Sequence, residues 1–429
     1  MNKKAHLFVA WIAGAICVAT MPVHAGDENP DVIVEWNQML QANIPSTAGL
    51  LVPRYYATLH IAMFDAANAV ERHYTPYHAR LLANPAASAE AAAAQAGHDV
   101  LAALITTPEA KAQFDAALQA RLATIHPWRA AAGSAVGRRA ASDILAWRAS
   151  DGSSVPSPAY VLPAIPGLWQ PASAGQVAQL VNFGEFTPFA LLTATQYLPD
   201  PPPPLNSALY AHDVEEVRAL GSSTSAARTA EQTQTARLFA SVGNSTTHFA
   251  MWNNVARDVA LQAHWSLVDT ARLFALMNAS IHDGLQTSHT SKYVYGLWRP
   301  ITAIRRADED MNAGTTADPA WTPLLSTPPY PSHSSNQTCV GTSAARALAR
   351  AAGHDDVAFS VTWVGTAGNA NVTRQYSSFS ELAQQQARSR VFGGIHFNFE
   401  LTASQESCTK VADYVADHYV RPLRLPWQP

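Results

Sequence analysis

Apolar residues recur at three- and four-residue spacing along most of this chain, and that periodicity constrains the fold more than any other feature. Ile33, Trp36, Leu40 and Ile44 form one such stripe, and Tyr55, Leu59, Ala62, Ala66 and Val70 a second. Phe114, Leu118 and Leu122 make a third, Val136, Ala140, Ile144 and Trp147 a fourth, and Leu267, Ala271, Phe274, Met277 and Ile281 the clearest of all. Each places its residues on one side of an α-helix. The Ala-rich run from Ala86 to Leu104 adds high intrinsic helix propensity. No segment shows a sustained period-two alternation between hairpin turn residues. The fold class is all-α.

Residues 151 to 206 break the pattern. They hold eleven of the chain's 28 prolines and end in Pro201-Pro202-Pro203-Pro204. Such a stretch is too long for an ordinary helix connection and too rich in aromatics and leucines for a free linker. It reads as an ordered excursion over 151–205, between an N-terminal helical bundle (26–150) and a C-terminal one (206–429). No repeat is evident between the two halves. Bundles commonly place a cofactor between facing helices.

The first residues have the layout of a secretory signal peptide, read as 1–25. Lys3 and Lys4 precede an apolar run from Leu7 to Met21, and Val23-His24-Ala25 offers small residues at the cleavage positions. The run is too short to span a bilayer, and no later stretch approaches about 20 apolar residues. The mature protein is expected to be exported, periplasmic or secreted, with no membrane span. Cys17 follows Ile16 rather than a small residue, so no lipid anchor is expected.

Removing Lys3 and Lys4 takes the formal charge from -4 to -6, with 26 basic residues against 32 acidic ones. That balance argues against nucleic acid as a partner, which requires a basic face. Any anion site must be a local concentration of positive charge. Cys339 and Cys408 survive processing, too few for a disulfide framework. They read as two buried free thiols, with one bridge open if their helices are neighbours.

Two segments of the second half carry basic residues at suggestive spacing. In Lys292-Tyr-Val-Tyr-Gly-Leu-Trp-Arg299-Pro300, seven helical residues would set Lys292 and Arg299 on one face about 10 Å apart. Pro300 disfavours the α conformation at Arg299, so the helix is expected to end there. Lys as a point charge and Arg as a planar fork suit one tetrahedral anion. In Ser389-Arg390-Val-Phe-Gly393-Gly394-Ile395-His396, a straight helix would point Arg390 and His396 about 120° apart. The paired glycines let the backbone bend and bring them together. Glu400, four residues on, is placed to orient the His396 imidazole if a helix resumes.

Lys-x6-Arg-Pro followed by Ser-Arg-x3-Gly-x-His resembles the outer motifs of the vanadium-dependent haloperoxidase and type-2 phosphatidic acid phosphatase superfamily. The likeness extends to Val34-Glu-Trp-Asn37, to Ala57 through Asn68, to Trp298 through Ile304, to Thr327-Pro-Pro-Tyr-Pro331 and to Gly394-Ile-His-Phe397. These match the exported bacterial haloperoxidase-like branch. The resemblance implies a pair of helical bundles of the vanadium haloperoxidase and acid phosphatase type. It also implies an oxyanion, vanadate or competing phosphate, neutralised by Lys292, Arg299 and Arg390. His396 matches the imidazole that bonds vanadium apically or attacks phosphorus.

The middle motif departs from the family's Pro-Ser-Gly-His. Anchored on Thr327 to Pro331, it falls on Ser334-Ser335-Asn336-Gln337. Ser335 keeps the hydroxyl that donates to the oxyanion. Asn336 keeps a backbone N–H, with a side chain expected to narrow the approach. Gln337 replaces the acid–base histidine with an amide that cannot exchange a proton near neutral pH. A second register sets Pro331-Ser332-His333 on the motif, making His333 the acid–base residue.

Elsewhere, Asp65 and Asn68 share a helix face and read as a structural cap or pairing. His282-Asp283, with His289 nearby, lacks a metal-site spacing. Asn244-Ser-Thr and Asn278-Ala-Ser have the form of glycosylation sequons. The expected activity is that of a vanadate-dependent haloperoxidase, oxidising halide with hydrogen peroxide and passing it to a small organic acceptor. The alternatives are an acid phosphatase cleaving phosphate esters with His396 as nucleophile, and an oxyanion-binding relative that lost turnover with Gln337.

Overall fold

The computed structural model describes residues 28–240, 247–364 and 371–423. The signal-peptide segment, Cys17 and the Asn244 sequon lie outside them. Helices α1 (Asp31–Asn43), α2 (Val52–Glu71), α3 (Ala89–Leu104), α4 (Pro108–Ala123) and α5 (Pro127–Arg148) make the N-terminal part. After the Pro-rich excursion come α6 (Ala208–Gly221), α7 (Ala230–Leu238), α8 (Thr247–Gln262) and α9 (Leu267–Tyr295). The chain closes with α10 (Pro300–Arg305), α11 (Asn336–Ala352), α12 (Phe379–Phe392) and α13 (Asn398–His418). The expected all-α class holds.

Local chemistry sets the helix ends. Ser88, Ser207, Thr229, Ser266, Ser335 and Ser378 each stand just before a helix, where the side-chain oxygen accepts a first-turn N–H. Pro108, Pro127 and Pro300 open α4, α5 and α10, where a missing N–H loses nothing. α2 and α9 are buried almost all round and pack on each other, forming the centre of the molecule. α3 and α5 cover α2, while α11 and α13 cover α9. No helix among the described residues is long and apolar enough to cross a membrane.

One element escaped the sequence reading. Phe359–Trp363 and Val372–Tyr376 pair as an antiparallel hairpin, here β1 and β2. Phe-Ser-Val-Thr-Trp does alternate, with Phe359, Val361 and Trp363 buried. Five residues are too few to stand out among helical stripes.

The excursion is ordered by α9. Asp283 accepts the backbone N–H groups of Phe189, Ala190 and Leu191 at 2.7–2.9 Å. Gln286 donates to the carbonyls of Phe183 and Phe186, and Arg148 donates to those of Thr187 and Pro188. His282 lies 2.9 Å from Asp283, and no cluster of three potential metal ligands occurs among the described residues. Asp65 works the same way, holding the N–H groups of Tyr77, His78 and Ala79 after α2. Asn68 clasps both backbone groups of Tyr74. These two side chains fix the turn after their own helix. Asn278 is buried inside α9, bonded to Asn253 and to the Phe274 carbonyl, so its sequon is inaccessible in the fold.

The cysteines correct the sequence reading. Cys339 on α11 and Cys408 on α13 form a buried disulfide, with Cα atoms 5.5 Å apart. Sequence cannot supply that distance; only the packing of α11 on α13 does. Closing a 69-residue separation should stabilise the fold by on the order of 4 kcal/mol through the unfolded chain. Equilibrium urea unfolding of the Cys339→Ser/Cys408→Ser pair should show a loss of at least about half that value. An unchanged midpoint would assign the bridge no role in stability.

Candidate active site

Lys292 occupies the last turn of α9, but Arg299 does not share its helix. α9 stops at Tyr295, and Gly296 follows in the left-handed conformation with φ 59°. The chain then crosses the excursion, with Trp298 donating to the Gly167 carbonyl and Trp169 to that of Gly296. Arg299 arrives in extended geometry as the residue capping α10. Pro300 keeps Arg299 out of the α region, as expected, but it begins a helix and does not end one. The two cations converge through a turn.

Arg390 and His396 also converge by a turn. α12 ends at Phe392, and Gly394 has φ 75°. A Cβ on Gly394 would lie 2.4 Å from the Gly221 carbonyl oxygen, so only glycine fits. His396 follows, two residues before α13, and Glu400 sits in the first turn of that helix.

The three cations are buried. Lys292 Nζ donates to the Ser332 carbonyl at 2.8 Å and to that of Ser334. Arg299 donates from Nε to the Tyr330 carbonyl at 2.8 Å and from Nη1 to the Ile395 carbonyl at 2.9 Å. Arg390 Nη1 donates to the Phe239 carbonyl at 3.1 Å. Two further donors, Arg299 Nη2 and Arg390 Nε, are buried with no partner among the described residues. Such orphans are rare, because each leaves a desolvation cost unrecovered. Burial first, then mutual repulsion, drives Lys292 well below the usual ammonium range, and burial above all lowers Arg390 to about 10. Glu400 is the carboxylate that faces Lys292 and Arg299, and burial raises it to about 7. The cluster carries more positive charge than the protein itself balances.

Hydrogen bonding fixes the state of His396. Arg299 Nη1 lies 3.2 Å from His396 Nε2. A guanidinium only donates, so Nε2 must offer a lone pair. Nδ1 then carries the proton and donates to Glu400 Oε2 at 2.6 Å. The same oxygen accepts from Ser332 Oγ and the Phe397 N–H, both at 3.0 Å. Burial, then Arg299, Lys292 and Arg390, hold His396 well below the ordinary imidazole value. A neutral imidazole with its Nε2 lone pair among three cations is both a ligand and a nucleophile. The expected role of Glu400 in orienting the ring has a direct geometric basis.

The middle motif sits at the start of α11. Ser335 is its capping residue: Oγ accepts from the Thr338 N–H and hydroxyl, and its own N–H donates to Ser404 Oγ. Asn336 is held from α9. Its side chain turns to α9, accepting from Ser288 Oγ and donating to His289 Nδ1, both at 3.0 Å. Gln337 Nε2 donates to the Phe239 carbonyl, the acceptor that also holds Arg390, and Gln337 Oε1 has no partner. His333 Nε2 donates to the Asp200 carbonyl at 2.8 Å, leaving Nδ1 unpartnered. Burial lowers it to about 4, and its charge is felt at His396. Both acid–base candidates therefore border one cluster.

Three contributors were not recognised from sequence. The Tyr330 ring faces both cations, 5.3 Å from Lys292 Nζ and 5.0 Å from Arg299 Cζ. It lay in plain view within Thr327 to Pro331. His289, lowered to about 3 mainly by burial, orients Asn336. The Phe239 carbonyl left no signal, because any residue could supply it.

Comparison with known proteins bears on the fold. The bundle fold is shared with a bacterial vanadium-dependent iodoperoxidase, at TM-score 0.76 and 22% identity, covering 92% of this chain and 97% of the other. Holo and apo forms of a bacterial vanadium-dependent chloroperoxidase superpose with TM-scores of 0.70 and 0.69, each at 14% identity. They cover 88% and 87% of this chain, and 93% and 94% of theirs. No curated protein matches the chain by sequence. Residues 272–424 match the family model for the VCPO second helical-bundle domain, the region that holds all three cations and His396. Residues 272–424 thus match that domain, and the chain as a whole shares the helical-bundle fold of these vanadium-dependent haloperoxidases.

Proposed function

We propose that the protein is an exported vanadate-dependent haloperoxidase, with Lys292, Arg299, Arg390 and His396 as its vanadate cradle. The observation that carries this reading is the pair of orphaned guanidinium donors, Arg299 Nη2 and Arg390 Nε, in a buried cluster with excess positive charge. A tetrahedral oxyanion supplies the acceptors and the charge that the cluster lacks. The residues present fit the group: three cationic donors, a neutral imidazole lone pair and a hydroxyl at a helix N-terminus.

Bound vanadate would supply the Lewis acidity that activates hydrogen peroxide toward attack by halide. The protein's own part is positional and electrostatic. Arg299 and Arg390 hold charge in a site where water cannot screen it. Glu400 keeps the His396 proton on Nδ1, so the lone pair stays on Nε2. Lys292, tied to the carbonyls of Ser332 and Ser334, fixes the loop that leads into Ser335. His333 borders the cluster with its Nδ1 unprotonated and unpartnered, and Gln337 holds its amide beside Arg390. Export accords with the Cys339–Cys408 bridge, a feature favoured in oxidising compartments.

The test is halide-dependent consumption of hydrogen peroxide, measured before and after loading with vanadate. Activity that appears on loading supports the proposal. Release of phosphate from a phosphate ester without vanadate would instead assign His396 the role of nucleophile. Neither activity, in protein that binds vanadate, would leave an anion-binding relative.

A further inference from the structure

The two halves of the chain are copies of one helical arrangement. α1, α2, α3, α4 and α5 pack on one another in the same pattern as α8, α9, α11, α12 and α13. The residues correspond in detail. Trp36-Asn37 on α1 matches Trp252-Asn253 on α8, and the two asparagines bond to each other at 2.8 Å. On α2 and α9, His60 and Asp65 keep the spacing of Asn278 and Asp283. Ser88 caps α3 as Ser335 caps α11. Arg121 and Arg390 each stand two residues before the end of their helices, α4 and α12. The fourth residue after each capping serine is Ala92 or Cys339, and the eleventh residue of the last helix is Gly137 or Cys408. Cys339 and Cys408 are bonded, and a Cβ on Gly137 would lie 2.3 Å from the Ala92 carbonyl oxygen. A close helix approach falls at the same step in both halves.

That correspondence locates a counterpart of the oxyanion cradle, at the end of α4 and the starts of α3 and α5. A cleft of about 460 Å³ opens there, lined by Glu28, Ser88, Glu90, Arg121, His126 and Arg129, among others. A carboxylate is seated in it. Glu28 accepts from Ser88 Oγ at 2.8 Å, from the Glu90 N–H at 2.6 Å and from Arg129 Nη2 at 2.7 Å. The capping serine and the N–H two residues on are the positions that Ser335 and Gln337 hold in the other half. Arg121 is engaged by Glu90 and Glu35, and Arg129 stands where α13 has Glu400. Lys292 follows Asp283 by nine residues, and nine residues after Asp65 stands Tyr74, so that cation has no counterpart.

We infer that the N-terminal bundle retains a second anion-binding cradle, and that the anion it holds is the chain's own Glu28 carboxylate. Removing that carboxylate exposes a site for a small oxyanion, one that the missing lysine makes weaker than the C-terminal one. The mapping borrows the oxyanion reading of the C-terminal cluster, but the outcome of the test does not depend on it.

The probe is inorganic phosphate, titrated by calorimetry into the full chain at low salt. Glu28→Ala should bind one phosphate more than wild type. Its Tm, lower than wild type by about 2–3 °C in chloride, should recover at least half of that loss in phosphate at equal ionic strength. Adding Arg129→Ala should abolish both the extra site and the recovery. Wild-type stoichiometry in Glu28→Ala, with no recovery specific to phosphate, would overturn the inference. Should Glu28→Ala fail to fold, Glu28→Gln keeps the side chain's shape. An unchanged Tm in that variant would overturn it equally. If the C-terminal oxyanion reading is the one at fault, wild type binds no phosphate while Glu28→Ala still binds one.

Discussion

Arg390→Ala should weaken vanadate binding by roughly 100-fold, the equivalent of about 3 kcal/mol for a charge-assisted donor lost from a buried site. Arg390 gives one N–H to the Phe239 carbonyl and keeps Nε without a partner. The fork is thus held in place by one arm while another remains for the anion. Arg390→Lys keeps the charge and loses the fork, so it should recover only part of the affinity. Lys292→Ala should act differently. Two of its three ammonium protons are committed to the carbonyls of Ser332 and Ser334, so its loss loosens the loop as well as removing charge. The smaller drop in affinity should come with a lower Tm. Calorimetric titration of the three variants measures both quantities. Equal affinity losses in Arg390→Ala and Arg390→Lys would mean that geometry counts for everything and charge for nothing. Unchanged affinity in all three would place the anion elsewhere.

Gln337→His should raise turnover by roughly 10-fold or more, since general acid–base help is typically worth about 10² to 10⁴. Gln337 shares the Phe239 carbonyl with Arg390, so an imidazole placed there meets a cation and little water. His248, which faces Arg390, is lowered to about 3, chiefly by burial. The new imidazole should likewise titrate below its ordinary value near 6.5. Its protonation would then occur only in acid, and the gain in rate should be full at neutral pH and fade as the pH falls. His333→Ala is the companion measurement. If His333 already exchanges the proton, as its free Nδ1 allows, removing it should abolish activity and Gln337→His should add nothing. The pair of pH–rate profiles distinguishes the two residues.

The fold was legible wherever burial follows a period. The stripes at Ile33, Tyr55, Phe114, Val136 and Leu267 all lie on helices of the structure. The Pro-rich excursion stood out by composition, and its aromatics do pack on the helices. Breaks in the backbone were harder to read. Pro300 drew attention to the wrong helix end, because Gly296 stops α9 by adopting a conformation that sequence permits without requiring. The bend at Gly394 was legible because two glycines stand between Arg390 and His396.

The site residues were named from motif spacing, and the structure brings Lys292, Arg299, Arg390, His396 and Glu400 into one buried cluster. Their partners were invisible, since most are backbone carbonyls. The Asn336 side chain could not be placed without knowing that Ser288 and His289 face it from α9. The internal duplication also escaped the sequence. Its shared residues are few, and the spacing between matching helices differs from pair to pair. Only the packing aligns Ser88 with Ser335 and Arg121 with Arg390.

In the proposed function, one buried cradle in the C-terminal half holds a tetrahedral oxyanion. Competition calorimetry measures it directly: vanadate is titrated into the protein alone and again in excess phosphate. A single site is predicted, its apparent vanadate affinity falling in proportion to phosphate and nearly lost in Arg390→Ala. Vanadate binding that phosphate leaves unchanged, or no binding at all, would contradict it.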